Sequence, residues 1–145
     1  MNKCLFPAIL WMATGVVAMP CFAAELQILL DGVRNDQGEL RVAIYQSPEG
    51  FATEAGRYKE VVLPANRSSN VAIFQAIPAG TYGVAAFHDE NRNGEFDKNF
   101  IGFPKEGFGF GNDAPVRLGP PRFSEAAVTV VEDDFNRHAL TFRYW

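Results

Sequence analysis

The sequence predicts an all-β fold: a single antiparallel β-sandwich of about seven strands, immunoglobulin-like or prealbumin-like, with one long loop rich in glycine and phenylalanine. Three observations support this prediction. Apolar and polar residues alternate with period two, turn-forming residues recur every roughly 8 to 14 positions, and no segment sustains a helical period. A small closed barrel is the alternative arrangement of the same strands.

The N-terminal segment has the pattern of a cleaved export signal. Lys3 precedes an apolar run from Leu5 to Met19, and Cys21-Phe22-Ala23 offers small residues at the −3 and −1 positions of a cleavage site. An uncleaved membrane helix is the alternative, but the apolar run is shorter than the roughly 20 residues that span a bilayer. We therefore expect cleavage.

Cleavage after Ala23 or Ala24 would make residues 1–24 a signal peptide and residues 25–145 the β-sandwich domain. The mature protein would then be periplasmic or secreted, with no membrane span left after cleavage. Both cysteines of the chain would be lost with the signal, so the domain would be stable without a disulfide.

The charge distribution excludes some classes of partner. The chain has 13 basic and 17 acidic residues, and its formal net charge is −4. Its lysines and arginines form no cluster, whereas nucleic acid and anionic lipid both require a concentrated positive surface. We expect no nucleic-acid partner.

Seven segments have the alternation of strands, and turn residues separate them. Leu26 to Leu30 ends at Asp31-Gly32, and the next segment contains Leu40, Val42 and Ile44 on one face. We predict that these two segments form a hairpin. The predicted strands are Leu26–Leu30, Glu39–Tyr45, Lys59–Leu63, Asn70–Ile77, Thr81–Phe87, Glu125–Val131 and His138–Tyr144.

The fifth predicted strand leads into a long region, residues 88–119, which begins with a predicted cation loop. Its pattern is Asp-x-Asn-x-Asn-Gly-x-x-Asp, which spaces hard oxygen donors at alternate positions and then turns on a glycine. Position 12 is Phe100 and the flanks are strand-like, so the loop is not an EF-hand. The alternative is an ordinary Asn-Gly turn. The candidate ligands of a structural Ca²⁺ are Asp89, Asn91, Asn93, the Glu95 carbonyl and Asp97.

Residues 99–119 follow as a loop in which glycine alternates with phenylalanine. Phe103, Glu106, Phe108 and Phe110 are the candidate contacts to a ligand or partner. That partner would be an envelope protein, or a small apolar or carbohydrate ligand. Alternatively, the loop folds over an open end of the sandwich and its rings complete the core.

Catalytic patterns are poor, and we expect the protein not to be an enzyme. A small envelope enzyme that uses Glu90, Asp97 and Glu106 is one alternative function. A purely structural, adhesion-type sandwich that acts through its sheet edges is another. His88 could be a metal ligand, but a histidine at a strand end more often hydrogen-bonds a loop carbonyl.

Several motifs of the chain match those of a known family. They are Gly32-Val33-Arg34-Asn35, Val42-Ala43-Ile44-Tyr45, Ile77-Pro78-Ala79-Gly80-Thr81-Tyr82, His88-Asp89-Glu90-Asn91 with Asn93-Gly94, Pro104 with Glu106-Gly107, and Gly119-Pro120-Pro121 with Phe123. Through these motifs the chain resembles the DUF2141 family of uncharacterised exported bacterial proteins over essentially the whole mature sequence. The resemblance implies an exported β-sandwich domain and no defined activity. Gly111-Asn112 departs from the Ser-Asn that is frequent in the family. The segment Ile77–Tyr82 is also similar to a signature of prealbumin-like and Cna-B-like sandwiches.

Overall fold

The computed structural model describes residues 23–145, so the predicted signal peptide, apart from its last two residues, lies outside the described part. Two sheets pack face to face and confirm the all-β sandwich. The strands are β1 (Ala24–Asp31), β2 (Glu39–Tyr45), β3 (Lys59–Pro64), β4 (Val71–Ile77), β5 (Gly80–Asp89), β6 (Gly107–Phe110), β7 (Ala127–Val130) and β8 (Asn136–Thr141). A 3₁₀ turn (Gly111–Asp113) and a short helix α1 (Phe123–Ala126) lie between β6 and β7.

The first sheet has the strand order β4-β1-β8, and the second has the order β3-β2-β5-β6. β7 pairs with the first half of β5, and β6 pairs with its second half. Every pairing is antiparallel except that of β1 with β8, which is parallel. None of the helices in the described part of the chain is both long enough and apolar enough to cross a membrane.

The predicted hairpin of the first two strands is wrong. β1 and β2 lie in different sheets, because each has one apolar face and the two faces pack against each other across the core. Leu40, Val42 and Ile44 of β2 are fully buried there. A buried side chain of this size stabilises the fold by about 1.5–3 kcal/mol. The segment between the strands is therefore an arch from one sheet to the other.

An eighth strand lies in the segment that was predicted to be loop. β6 has the sequence Gly-Phe-Gly-Phe, and its two faces differ completely. A Cβ atom on Gly107 would overlap the Tyr144 ring, and one on Gly109 would lie 2.7 Å from Leu140 Cδ1. The glycine face thus allows close approach of the chain end, and the phenylalanine face points away from the core.

The C-terminal segment (residues 142–145) crosses from the first sheet to the second. Phe142 N–H still donates to the Asp31 carbonyl beside β1, at 2.8 Å. Arg143 then exchanges two backbone hydrogen bonds with Phe108, of 3.0 and 2.8 Å. This crossing places Tyr144 and Trp145 against β6, at the same end of the sandwich as the predicted cation loop.

Candidate functional site

The cation loop (residues 89–97) begins at the last residue of β5, and Asp89 anchors it. This carboxylate is fully buried. Its Oδ1 accepts the Asn93 N–H at 3.1 Å, and its Oδ2 accepts the Gly94 N–H at 2.8 Å and the Arg41 Nε–H at 3.1 Å. Gly94 has φ of +79°, a conformation that favours glycine and reverses the loop at the predicted position.

The remaining predicted ligands lie together on the exposed side of the same loop. Asn91 and Asn93 donate from Nδ2 to Asp97 Oδ2, at 2.7 and 3.0 Å. Their own oxygens accept the backbone N–H groups of Asn93 and Glu95, at 3.1 and 2.9 Å. Two amides thus satisfy the Asp97 carboxylate where a hard cation would otherwise do so. The Glu95 side chain points into solvent.

Glu106 adds a third carboxylate beside this loop. It precedes β6, is 5 % exposed, and accepts the Asp97 backbone N–H on Oε2 at 3.1 Å. Its other oxygen, Oε1, is buried and has no hydrogen-bond partner among the described residues. Burial raises the pKa of Glu106 above its ordinary value, and the charges of Asp89 and Asp97 raise the pKa further.

These oxygens form a donor set for a hard cation, although the set is not a preformed carboxylate cage. Within residues 23–145, no three histidine, cysteine, aspartate or glutamate side chains converge as a metal-binding group. The amide oxygens of Asn91 and Asn93 and the unpartnered oxygen of Glu106 are the additional donors. Calcium accepts such mixtures of carboxylate, amide and carbonyl oxygen. The residues present therefore fit a calcium ion better than a metal that needs histidine or cysteine.

His88 is part of a structural network. Its Nε2 lies 2.6 Å from the Gln37 carbonyl and must donate to it, so Nδ1 accepts from the Tyr144 hydroxyl at 2.8 Å. The same hydroxyl accepts the Arg34 backbone N–H at 3.2 Å. Both ring nitrogens are therefore occupied by protein partners, as expected for a histidine that fixes a strand end.

Glu90 faces away from the other carboxylates of the alternative catalytic group. It forms a bidentate pair with the Arg34 guanidinium, with Arg34 Nη2 2.9 Å from Glu90 Oε2. The hydrogen bonds from Arg34 hold the pKa of Glu90 below its ordinary value. Asp97 and Glu106 lie together, whereas Glu90 belongs to the network that holds the C-terminal segment.

A groove of about 600 Å³ lies on the outer face of the second sheet. Two rows of paired residues across neighbouring strands form the floor of the groove. In one row Phe87 of β5 pairs with Phe108 of β6, and in the other Ala85 of β5 pairs with Ala43 of β2 and Phe110 of β6. Alanine leaves space where a larger side chain would fill the floor. The groove walls come from residues 52–57, residues 94–104, residues 116–120 and Trp145.

The rim of this groove carries exposed apolar side chains. Ile101, Phe103 and Trp145 are 63 %, 48 % and 63 % exposed, and Leu118 is also fully accessible. Trp145 lies over Phe103 and Phe108, with ring centroids 5.6 and 6.2 Å apart. Exposed apolar side chains that surround a concave apolar floor are typical of ligand-binding surfaces.

Charged residues at one end of the groove neutralise one another. Arg41 contacts three carboxylates, those of Glu39, Glu60 and Asp89. Arg57 pairs with Glu60 at 2.5 Å. The charges of Arg41 and Arg57 are thus compensated by carboxylates, whereas Lys98, which also lines the groove, lies over the Phe96 ring.

Three of the four predicted contact residues line the groove. Phe103 is at the rim, Phe110 is half-buried, and Phe108 is buried in the floor. Glu106 does not line the groove and lies instead beside the cation loop. Sequence reasoning missed Ala43, Ala85 and Trp145. The small alanines at outward positions of β2 and β5 were the available signal, because outward positions usually carry larger polar or β-branched residues.

Comparison with known proteins gives a family but no activity. A family model described as an uncharacterized protein conserved in bacteria, DUF2141, matches residues 28–138. The chain belongs to the DUF2141 family. No curated protein and no solved structure matches it. The matched range of this DUF2141 protein includes both the cation loop and the floor of the groove.

Proposed function

We propose that this DUF2141 protein is an exported binding module of the cell envelope that holds a small apolar ligand in the groove of its second sheet. The observation that carries the proposal is the groove itself, with its floor of alanine and phenylalanine and its exposed aromatic rim. A volume of about 600 Å³ lies within the range of small-molecule sites in proteins.

The chemistry of the floor favours an apolar ligand over a carbohydrate. Sugars need polar groups that hydrogen-bond their hydroxyls beside an aromatic platform. Here Arg41 and Arg57 are already paired with carboxylates, and the floor between them and Trp145 is apolar. The concave shape favours a small ligand over a flat protein surface.

A structural calcium ion in the cation loop is the second part of the proposal. Asp89, Asn91, Asn93, the Glu95 carbonyl and Asp97 would hold it. The ion would replace the two amide donors at Asp97 and fix the beginning of the groove wall that follows the loop. With few carboxylates, the affinity is expected near the roughly 10⁻⁴–10⁻³ M of extracellular calcium modules.

The groove is tested with N-phenyl-1-naphthylamine, an uncharged apolar dye whose fluorescence rises in apolar surroundings. We expect saturable binding that Ala85→Leu weakens by filling the floor. Phe103→Ala removes an aromatic rim side chain and should also weaken binding. Phe135→Ala is the matched control, because Phe135 is 67 % exposed and lies outside the groove.

Equal dye affinity for all four proteins would show that the dye binds elsewhere and would refute the groove. Export is tested separately by the mass of the protein recovered from cell fractions. A mass that begins at residue 24 or 25 in the periplasm or medium is expected. An intact N terminus in the cytoplasm would refute export.

A further inference from the structure

Two buried carboxylates lie side by side at the end of the second sheet. His88 of β5 pairs with Gly107 of β6, and Asp89 and Glu106 directly flank this pair. The two carboxylates are close enough for their charges to interact. Asp89 is fully buried and Glu106 is 5 % exposed. Like charges in such proximity destabilise each other.

Only one of the two has a positive partner. Asp89 is 3.1 Å from Arg41 Nε, and Arg41 is also shared by Glu39 and Glu60. Among residues 23–145, no lysine, arginine or histidine forms an ion pair with Glu106, and its Oε1 has no hydrogen-bond donor. A buried carboxylate in this state is costly unless a cation compensates it.

The chain between the loop and Glu106 forms a closed excursion (residues 98–105). Its two ends meet, since Lys105 N–H donates to the Asp97 carbonyl at 2.9 Å and Lys98 bridges to Pro104. The tip is held by Asn99, whose N–H donates to the Phe103 carbonyl at 2.8 Å. The excursion supplies Ile101 and Phe103 to the groove rim.

We propose that Glu106 is a ligand of the same divalent cation as Asp89 and Asp97, and that this cation latches the groove wall in place. This inference rests on the calcium loop of the proposed function and adds a ligand and a regulatory role. The cation would compensate the unpartnered oxygen of Glu106 and join the two ends of the excursion. Binding of an apolar ligand to the groove is then calcium-dependent, because the cation adds to the backbone hydrogen bonds that hold the wall with Phe103.

The test uses the full-length chain with Trp11→Phe, which leaves Trp145 as the single tryptophan. Glu106→Gln removes the charge and keeps the size of the side chain. Glu49→Gln is the matched control, because Glu49 is an exposed carboxylate outside both the cation loop and the groove. Calcium chloride is titrated by calorimetry after treatment with EDTA. Thermal midpoints, Trp145 emission and affinity for N-phenyl-1-naphthylamine are read with and without calcium.

We expect the parent chain and Glu49→Gln to bind calcium, to unfold at a higher temperature with calcium, and to bind the dye more tightly with calcium. Glu106→Gln should bind calcium at least about tenfold more weakly and lose the calcium dependence of dye binding. In EDTA the order of the thermal midpoints should invert, because Glu106→Gln lacks the charge repulsion. The variant should then be at least as stable as the parent. A purely structural role for Glu106 would not produce this inversion.

Calcium affinity unchanged in Glu106→Gln would overturn the ligand assignment. Calcium binding without any change in Trp145 emission or dye affinity would overturn the latch. If Glu106→Gln lacks a native circular dichroism spectrum, Asp97→Asn replaces it at the other end of the excursion. Asp97→Asn should show the same losses, and parent-like behaviour would overturn the proposal.

The two proposals fail differently. If the parent binds the dye but no calcium, the cation site and its latch are overturned and the groove stands. If the parent binds calcium in a Glu106-dependent way and Trp145 responds, but no dye binds, the latch is supported and the groove function is overturned.

Discussion

Removing one hydroxyl should destabilise the end of the sandwich at which the candidate sites lie. Tyr144→Phe keeps the aromatic ring and deletes the group that donates to His88 Nδ1 at 2.8 Å and accepts the Arg34 N–H at 3.2 Å. The Arg34 guanidinium lies 4.5 Å from the centre of the Tyr144 ring, and this contact is retained in the variant. The substitution therefore isolates the hydroxyl.

The loss of stability in Tyr144→Phe follows from the hydrogen-bonding group that the substitution leaves without a partner. His88 is fully buried, so its Nδ1 loses its partner in a place that water does not reach. The other tautomer would instead leave the Gln37 carbonyl without its donor. An unsatisfied buried polar group costs about 1–3 kcal/mol, and we expect a loss of about 2 kcal/mol. For a domain of this size, that corresponds to a fall in Tm of about 6–12 °C.

Urea unfolding followed by circular dichroism measures the change, with Tyr58→Phe as the control. Tyr58 is 38 % exposed, and its hydroxyl makes no hydrogen bond to any residue of the described chain. We expect the control to change the free energy of unfolding by less than about 0.5 kcal/mol. If Tyr144→Phe is as stable as Tyr58→Phe, the hydroxyl is not the link between β5 and the C-terminal segment.

Three further predictions follow from the same structure. Gly107→Ala would force the Tyr144 ring out of its place, so it should cost about 1–3 kcal/mol in urea unfolding, whereas Gly119→Ala, which meets open space, should be near neutral. Glu125 accepts the Arg122 N–H at 2.8 Å, and that hydrogen bond lowers the pKa of Glu125 in the folded protein. The ionised Glu125 therefore stabilises the fold at pH values above its unfolded pKa of about 4.3, and this stabilisation is lost as the pH falls through the lower pKa of the folded state. Glu125→Ala should therefore lower Tm at pH 7 and have no effect at pH 2. Finally, calcium at about 100 times its Kd should stabilise the protein by about 2.7 kcal/mol in thermal unfolding, and Asp89→Ala should abolish that gain; an equal gain in the variant would refute the cation loop.

Most of the strands could be predicted from the sequence, but the pairing of the strands could not. The alternation of Leu40, Val42 and Ile44 was sufficient to predict β2 and the face it buries. The same alternation cannot distinguish a hairpin from an arch, since both connect two strands through a short polar turn. Packing determines that the connection is an arch, because the apolar faces of β1 and β2 meet across the core.

The candidate site was predictable in part for a related reason. The spacing of oxygen donors predicted that the side chains of Asn91, Asn93 and Asp97 would lie together, as they do, and the density of phenylalanines pointed to a surface that includes Phe103 and Phe110. Whether the loop binds a cation stays a prediction. The pairing of β6 with β5 was not predictable, because glycine is depleted in strands and weakens them locally. Without that pairing, neither the position of Glu106 beside the cation loop nor the floor of alanine and phenylalanine could be deduced.

The parallel pairing of β1 with β8 affects the order in which the domain can fold. β1 is the central strand of its sheet, yet one of its two neighbours ends only at Thr141. That sheet cannot be completed until nearly the whole chain is available, and contacts between such distant segments make folding slow. A partly synthesised chain would expose the unpaired edge of β1. Completion of this sheet should therefore be a late event in the folding of the protein.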